Sequence, residues 1–167
     1  MRRPVFLLLL ILLQITLPVK LSGQKPDYRL FDNISLGTEA SVINCFLQDT
    51  QGLIWIGSNK GLFSYDGYST QPHFTFAKRN NTQIYCGTVV DSTYLYLGAD
   101  NGLLIYNYRT DTYEEPETQL PTDIRALLVH DGMLWLGTLN GLYTYSLNDH
   151  QLSAVTEGIP HQTIYSL

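Results

Sequence analysis

Beyond residue 40 the chain alternates short apolar runs with short polar breaks, and nothing after residue 24 carries the 3.6-residue apolar period of a helix. The runs fall into repeating sets of four. The first of each set covers residues 42–47, 84–90 and 124–129. A polar turn follows, Asp49-Thr50-Gln51-Gly52, Asp91-Ser92-Thr93 or His130-Asp131-Gly132. Asp suits a turn because its side chain bonds its own backbone, and Gly because it tolerates positive φ. Second runs cover 53–57, 94–98 and 133–137, and third runs 62–65, 103–106 and 142–145. Lys60-Gly61, Asn101-Gly102 and Asn140-Gly141 separate second from third, and Asn-Gly is a strong hairpin signal. A weaker, more polar fourth run lies near 70–76, 112–115 and 151–155. Each set predicts four antiparallel strands whose outermost member faces solvent.

The second and third strands are apolar on both faces, as in Leu53-Ile54-Trp55-Ile56 and Leu103-Leu104-Ile105-Tyr106. A sheet with one wet face would alternate, so these sheets are expected to be sandwiched by neighbours. The sets are also copies of one another. Trp55-Ile56-Gly57-Ser58-Asn59-Lys60-Gly61-Leu62 recurs from Tyr96 through Gly98 to Gly102 and from Trp135 through Gly137 to Gly141, the central glycines lying 41 and 39 residues apart. Ile43, Ile84 and Ile124 open the first strands at spacings of 41 and 40, and Ile164-Tyr165-Ser166-Leu167 resembles the start of another copy. A period near 40 built of short strands is the signature of a β-propeller, one four-stranded blade per copy. The predicted fold is all-β: a partial propeller with blades at 41–78, 79–119 and 120–158 and the first strand of a fourth at 159–167. Leu120-Pro121 and Gly158-Ile159-Pro160 precede two of the first strands, where proline imposes an extended approach. The repeated aromatics and glycines are structural.

The N-terminus is of another kind. Arg2 and Arg3 precede an unbroken apolar run over 5–13, and Ser22-Gly23 offers small residues for cleavage before Gln24. Residues 1–23 are expected to be a secretory signal peptide and the chain to be exported. Gln14, Thr16 and Pro18 leave too short a run for the ~20 apolar residues of a membrane span. Residues 24–40 then hold an N-terminal strand at 28–31, placed to pair as an outer strand in closing the ring.

Charge and chemistry narrow the picture further. A net charge of −5 without any Lys/Arg cluster argues against nucleic-acid binding, whose footprint is basic. Cys45 and Cys86 each follow the repeat isoleucine by two residues, where later copies have Ala126 and Ser166. That is a slot for a small side chain, so buried thiols are expected, with a bridge between neighbouring inner strands left open. His73, His130, His150 and His161 occupy unrelated repeat positions without metal-ligand spacing. Glu114-Glu115-Pro116-Glu117 reads as a solvated loop, since nothing apolar beside it would split the carboxyl pKa values for acid–base work. Asn33-Ile34-Ser35 and Asn80-Asn81-Thr82 match glycosylation acceptors. No catalytic, metal or cofactor site is expected.

The stretch from Gln48 through Asp49-Thr50-Gln51-Gly52-Leu53-Ile54 to Trp55-Ile56-Gly57, followed by Gly61-Leu62 and Tyr65-Asp66-Gly67-Tyr68, resembles the two-component regulator propeller repeat. The resemblance covers residues 28–167, with a departure in the second copy, which has Tyr96 for tryptophan and Gly87-Thr88 inside its first strand. It implies the N-terminal part of a periplasmic sensor of a hybrid two-component histidine kinase, of the type found in Bacteroidetes. Such proteins carry two seven-bladed propellers, an immunoglobulin-like domain and a transmembrane helix. A kinase, a receiver and a DNA-binding domain follow. The implied ligand is a soluble oligosaccharide, the implied partners are the remaining blades and signalling domains, and the parent is expected to be a homodimer in the inner membrane. A glycan-degrading or quinone-dependent propeller enzyme and a passive protein-binding scaffold are the alternatives. A ligand would meet loops at one end of the blades, where Arg79, Asn80, Asn101, Asp123 and Asn140 offer hydrogen bonds. Terminal blades as apolar as the middle one predict that residues 24–167 alone self-associate.

Overall fold

The computed structural model describes residues 34–36, 42–73, 82–114, 116, 119–158 and 162–167. Residues 34–167 form one unit. The expected signal peptide with its cleavage point at Gly23 and Gln24, and the expected closing strand at 28–31, lie outside the described residues.

Twelve strands make three antiparallel sheets of four, each sheet built from consecutive strands in chain order. The first sheet comprises β1 (Ile43–Gln48), β2 (Ile54–Ser58), β3 (Gly61–Tyr65) and β4 (Thr70–His73). The second comprises β5 (Ile84–Val89), β6 (Tyr94–Ala99), β7 (Gly102–Asn107) and β8 (Thr112–Glu114). The third comprises β9 (Ile124–His130), β10 (Met133–Thr138), β11 (Gly141–Ser146) and β12 (Leu152–Val155). The central strands are buried along most of their length and the outer ones half-exposed, as the polarity pattern requires.

The β2–β3, β6–β7 and β10–β11 hairpins close on the pairs Ser58↔Gly61, Ala99↔Gly102 and Thr138↔Gly141. Each glycine has a positive φ, 109°, 121° and 125° respectively, in a region that a side chain would strain. In the first and third hairpins the hydroxyl of Ser58 or Thr138 donates to the glycine carbonyl and accepts from the backbone N–H of Lys60 or Asn140.

The glycines at the middle of the phrase serve a different purpose. A methyl group on Gly57 would lie 2.7 Å from Cγ2 of Ile84, one on Gly98 2.7 Å from Cγ2 of Ile124, and one on Gly137 2.7 Å from Cγ2 of Ile164. Each bare glycine is a hole that receives the isoleucine opening the next sheet. The cysteine slot has the same origin, since Cys45 Sγ and Cys86 Sγ would lie 2.5 Å from those methyl groups on Gly57 and Gly98. The interlock makes two continuous interiors, one between the first and second sheets around Trp55, Ile84, Leu95, Leu97 and Tyr106, the other between the second and third around Tyr96, Ile124, Leu134 and Tyr145.

Burial at the two ends follows from the same arrangement. Ile84 and Ile124 are 1% and 0% exposed, whereas Ile43, with no described sheet before it, is 40% exposed, and Phe46 beside it 66%. On the opposite side Trp55 is 2% exposed, while Trp135 is only half-buried.

Candidate functional site

The hairpins and the segments leading into the next sheet meet at one end of the blades. Asp100 N–H donates to the carbonyl of Gln83, Asp123 N–H donates to the carbonyl of Asp100, and Thr163 Oγ1 donates to the carbonyl of Leu139. Asp123 is therefore tied to the second hairpin through Asp100, while the Asn101 side chain in that hairpin donates through Nδ2 to Thr82 Oγ1. Asn140 is exposed at the tip of the third hairpin, and Arg79 and Asn80 lie outside the described residues.

A second feature adjoins this end. In all three sheets the register between the innermost strand and its partner shifts immediately after the repeat isoleucine: between Ile43 and Cys45, between Ile84 and Cys86, and opposite Gly137/Thr138, between Ile124 and Ala126. The residues at these bulges are Asn44, Tyr85 and Arg125. A bulge re-aims the side chain it carries, and here each reaches a neighbouring inner strand. Asn44 Nδ2 donates to the carbonyl of Ile84 at 2.6 Å, and the Arg125 guanidinium lies over the Tyr85 ring, 3.5 Å from its centroid. Arg125 Nη2 also donates to Asp123 Oδ1 at 3.2 Å. Among the described residues, two buried side-chain polar atoms make no hydrogen bond, Asn101 Oδ1 and Arg125 Nε.

The inner-strand thiols are free and half-buried. Burial pushes Cys45 up to about 11 and, together with the neighbouring Cys45, Cys86 up to about 12. Such thiols are not reactive nucleophiles at neutral pH.

The structure assembles one cluster that the repeat positions did not foretell. His73, at the end of β4, accepts or donates through Nε2 to Ser64 Oγ at 2.9 Å. Its Nδ1 faces both Tyr106 OH, at 2.8 Å, and Asp111 Oδ1, at 3.2 Å, in the second sheet. Tyr106 OH donates to the same carboxylate oxygen at 2.7 Å, and Tyr113 OH donates to the His73 carbonyl. The Trp55 ring packs on His73 with centroids 5.0 Å apart, while its Nε1–H donates to Asp49 Oδ2. The hydrogen bond from Tyr106, and then that from His73, hold the Asp111 carboxyl below its ordinary value. Burial first, and then the Asp111 contact, raise the Tyr106 phenol. Serine, histidine and aspartate are thus linked in the order of a hydrolase triad. Ser64 is only 6% exposed, however, and the tyrosine competes for the same ring nitrogen. The arrangement is a polar tie between two blades. In the third sheet His150 bonds the matching tyrosine, Tyr145, from five residues away, the offset at which Asp111 meets Tyr106, so it stands where Asp111 does and makes its bond beside its own sheet. Among the described residues no three His, Cys, Asp or Glu side chains converge as metal ligands.

Three interlocked four-stranded sheets of one repeating pattern define this chain as a β-propeller segment. The family profile of the two component regulator propeller matches residues 37–60. The chain is similar to the extracellular domain of BT4673 from B. thetaiotaomicron, described in its crystal structures both as a hybrid two component system and as a one component system. The identity is 63% and the TM-score 0.77, over 83% of this chain and 19% of that one. The chain thus spans about a fifth of that relative's length. The WD40 beta propeller domain of Doa1 (11% identity, TM-score 0.61, 74% of this chain and 43% of that one) shares the fold alone. So does the computationally designed Ika4 protein (16% identity, TM-score 0.59, 81% and 84% covered). No curated protein matches the chain.

Proposed function

We propose that this chain is an N-terminal segment of the ligand-sensing propeller of a membrane-anchored two-component sensor. The observation that carries the reading is the 63% identity, over 83% of the chain, to an extracellular domain described as part of a hybrid two component system. The segment is exported behind a cleaved signal at about Gly23 and Gln24 and works in the periplasm without catalysing a reaction. Its partners are the further blades that complete the ring and the signalling domains beyond them, with a homodimeric parent. The exposed Ile43 supports the first of these, because it is the free half of the isoleucine–glycine joint that every inner sheet makes. The buried polar ties, and thiols that burial keeps protonated at neutral pH, support the absence of catalysis.

The ligand is a soluble oligosaccharide met at the hairpin end, through Arg79, Asn80, Asn101, Asp123 and Asn140. Coding sequence beyond Leu167 tests the signalling part of the proposal. A membrane span followed by a histidine kinase is expected, and a stop codon after seven blades would refute it. Calorimetry of the whole exported region against an oligosaccharide panel tests the ligand. Alanine at these five positions should weaken binding, and unchanged affinity in all of them would move the site to other blades.

A further inference from the structure

Three atoms able to ligate a metal, drawn from two blades, surround one point. His73 Nδ1, at the end of β4, is 2.8 Å from Tyr106 OH on β7 and 3.2 Å from Asp111 Oδ1 in the turn beyond β7, and those two oxygens are 2.7 Å apart. Hydrogen bonds hold this triangle together, but its dimensions are also those of a ligand set. Neighbouring ligands of an octahedral ion with bonds of about 2.1 Å lie about 3.0 Å apart. A tetrahedral ion with bonds of that length spreads them to about 3.4 Å. The observed sides therefore match one face of an octahedron. The surroundings suit a metal as well. Ser64 Oγ, 2.9 Å from His73 Nε2, can accept from that nitrogen, which leaves the lone pair on Nδ1. Tyr113 bonds the His73 carbonyl through its OH and packs its ring on Tyr106, centroids 4.6 Å apart, so two of the three ligands are braced. The Asp111 side chain is 57% exposed, which gives an ion a way in and leaves room for water on its outer side. The third sheet has His150 where the second has Asp111, so the carboxylate is not a demand of the repeat.

We infer that His73, Tyr106 and Asp111 form one face of a six-coordinate site for a hard, highly charged transition-metal ion, ferric iron above all, which clamps the first blade to the second. Binding balances its protons. Tyr106 OH gives its proton to solvent and ligates as phenolate, the His73 ring carries its proton on Nε2 toward Ser64, and Asp111 ligates as the carboxylate it already is. Two anionic oxygens and one imidazole nitrogen suit such an ion and not a soft one. Burial and the Asp111 contact raise the phenol, so magnesium or calcium is too weak a Lewis acid to displace its proton. The site needs no sugar and no downstream domain, so it stands or falls apart from the sensor reading.

The test adds ferric nitrilotriacetate, and separately zinc sulfate, to the whole protein after a chelator has stripped it of metal. The expected result is iron uptake with a visible phenolate-to-iron charge-transfer band and a raised melting temperature. Tyr106→Phe should abolish the band, and Asp111→Asn and His73→Gln should each weaken binding at least about tenfold, the cost found even for outer-shell partners. Melting temperatures of the metal-free variants separate loss of the site from loss of the fold, and the exposed Asp111 supplies a variant that keeps the fold. His130→Asn, which removes an exposed histidine beside Asp131, should leave binding unchanged. A colourless protein with an unmoved melting temperature overturns the site. Iron binding that Tyr106→Phe and Asp111→Asn leave intact overturns it too. Zinc taken up in preference to iron overturns the octahedral class.

Discussion

The isoleucine–glycine joint can be tested by adding one carbon. In Gly57→Ala the new methyl would lie 2.5 Å from Cys45 Sγ and 2.7 Å from Ile84 Cγ2, against the 3.4 Å at which ordinary contact begins. Both neighbours must therefore retreat by most of an ångström, in an interior where Ile84 is 1% exposed. Overpacking of this kind costs about 1–3 kcal/mol, which at about 4 °C per kcal/mol lowers Tm by roughly 4–12 °C. Every close contact at Gly57 is a side-chain atom, so the strain should be removable. Ile84→Ala alone costs about 2–5 kcal/mol by leaving a cavity, but in that background the methyl enters the vacated space. The double variant should therefore be at least ~1 kcal/mol more stable than the sum of the singles requires. Ile84→Val keeps a methyl against Gly57 and should show little coupling. At Gly98 the contacts include the Ile124 carbonyl oxygen at 2.9 Å, so Ile124→Ala should rescue Gly98→Ala less well. Urea denaturation of the four proteins in the Gly57/Ile84 cycle gives the coupling. Strict additivity, or a neutral Gly57→Ala, would refute the joint.

Further predictions concern the polar tie, the thiols and the open ends. His73→Ala removes the partner of Ser64 Oγ and the link from the first blade to Tyr106 and Asp111 and should cost about 1–3 kcal/mol, read from denaturation midpoints; an unchanged midpoint would dismiss the tie. The folded state holds the Asp111 carboxyl below its unfolded value, so its contribution is present above about pH 4 and is lost as pH falls through the lower folded value. Asp111→Asn should accordingly flatten the acid limb of a stability–pH curve. The thiols act at the other limb. With Cys45 raised to about 11 and Cys86 to about 12, their contribution is complete below the unfolded value near pH 8.5 and is lost as pH rises from there to 11–12. Replacing both with alanine should remove part of that alkaline decline, and in the native protein both thiols should resist a thiol reagent at pH 7. Residues 24–167 expressed alone should self-associate through surfaces that include Ile43 and Phe46, exposed to 40% and 66%. A monodisperse monomer by light scattering would contradict this.

The strand pattern was legible residue by residue, because hydrogen-bonded neighbours within a blade are joined by short turns whose chemistry is local. Asp49 shows this: its carboxylate accepts from the N–H of Gln51 and of Leu53, inside the turn that its position announces. The period located the next repeat at Ile164, and that residue fills the hole over Gly137 as Ile84 and Ile124 fill theirs. Contacts between blades were much less legible. His73 meets Asp111 from 38 residues away and Tyr106 from 33, distances that do not match the repeat, so sequence spacing gave no sign of this cluster.

By itself the sequence determined the strands, the turns, the period and the small-residue slot, since all of these follow from side-chain size, polarity and backbone freedom along a few residues. Tertiary structure decided which polar side chains meet. Arg125 lies over Tyr85 because bulges in two strands, brought together by the joint of Ile124 with Gly98, aim both residues at the same edge. That encounter depends on the rotation of one sheet against the next, and the packing of whole blades, rather than any local preference, sets that angle.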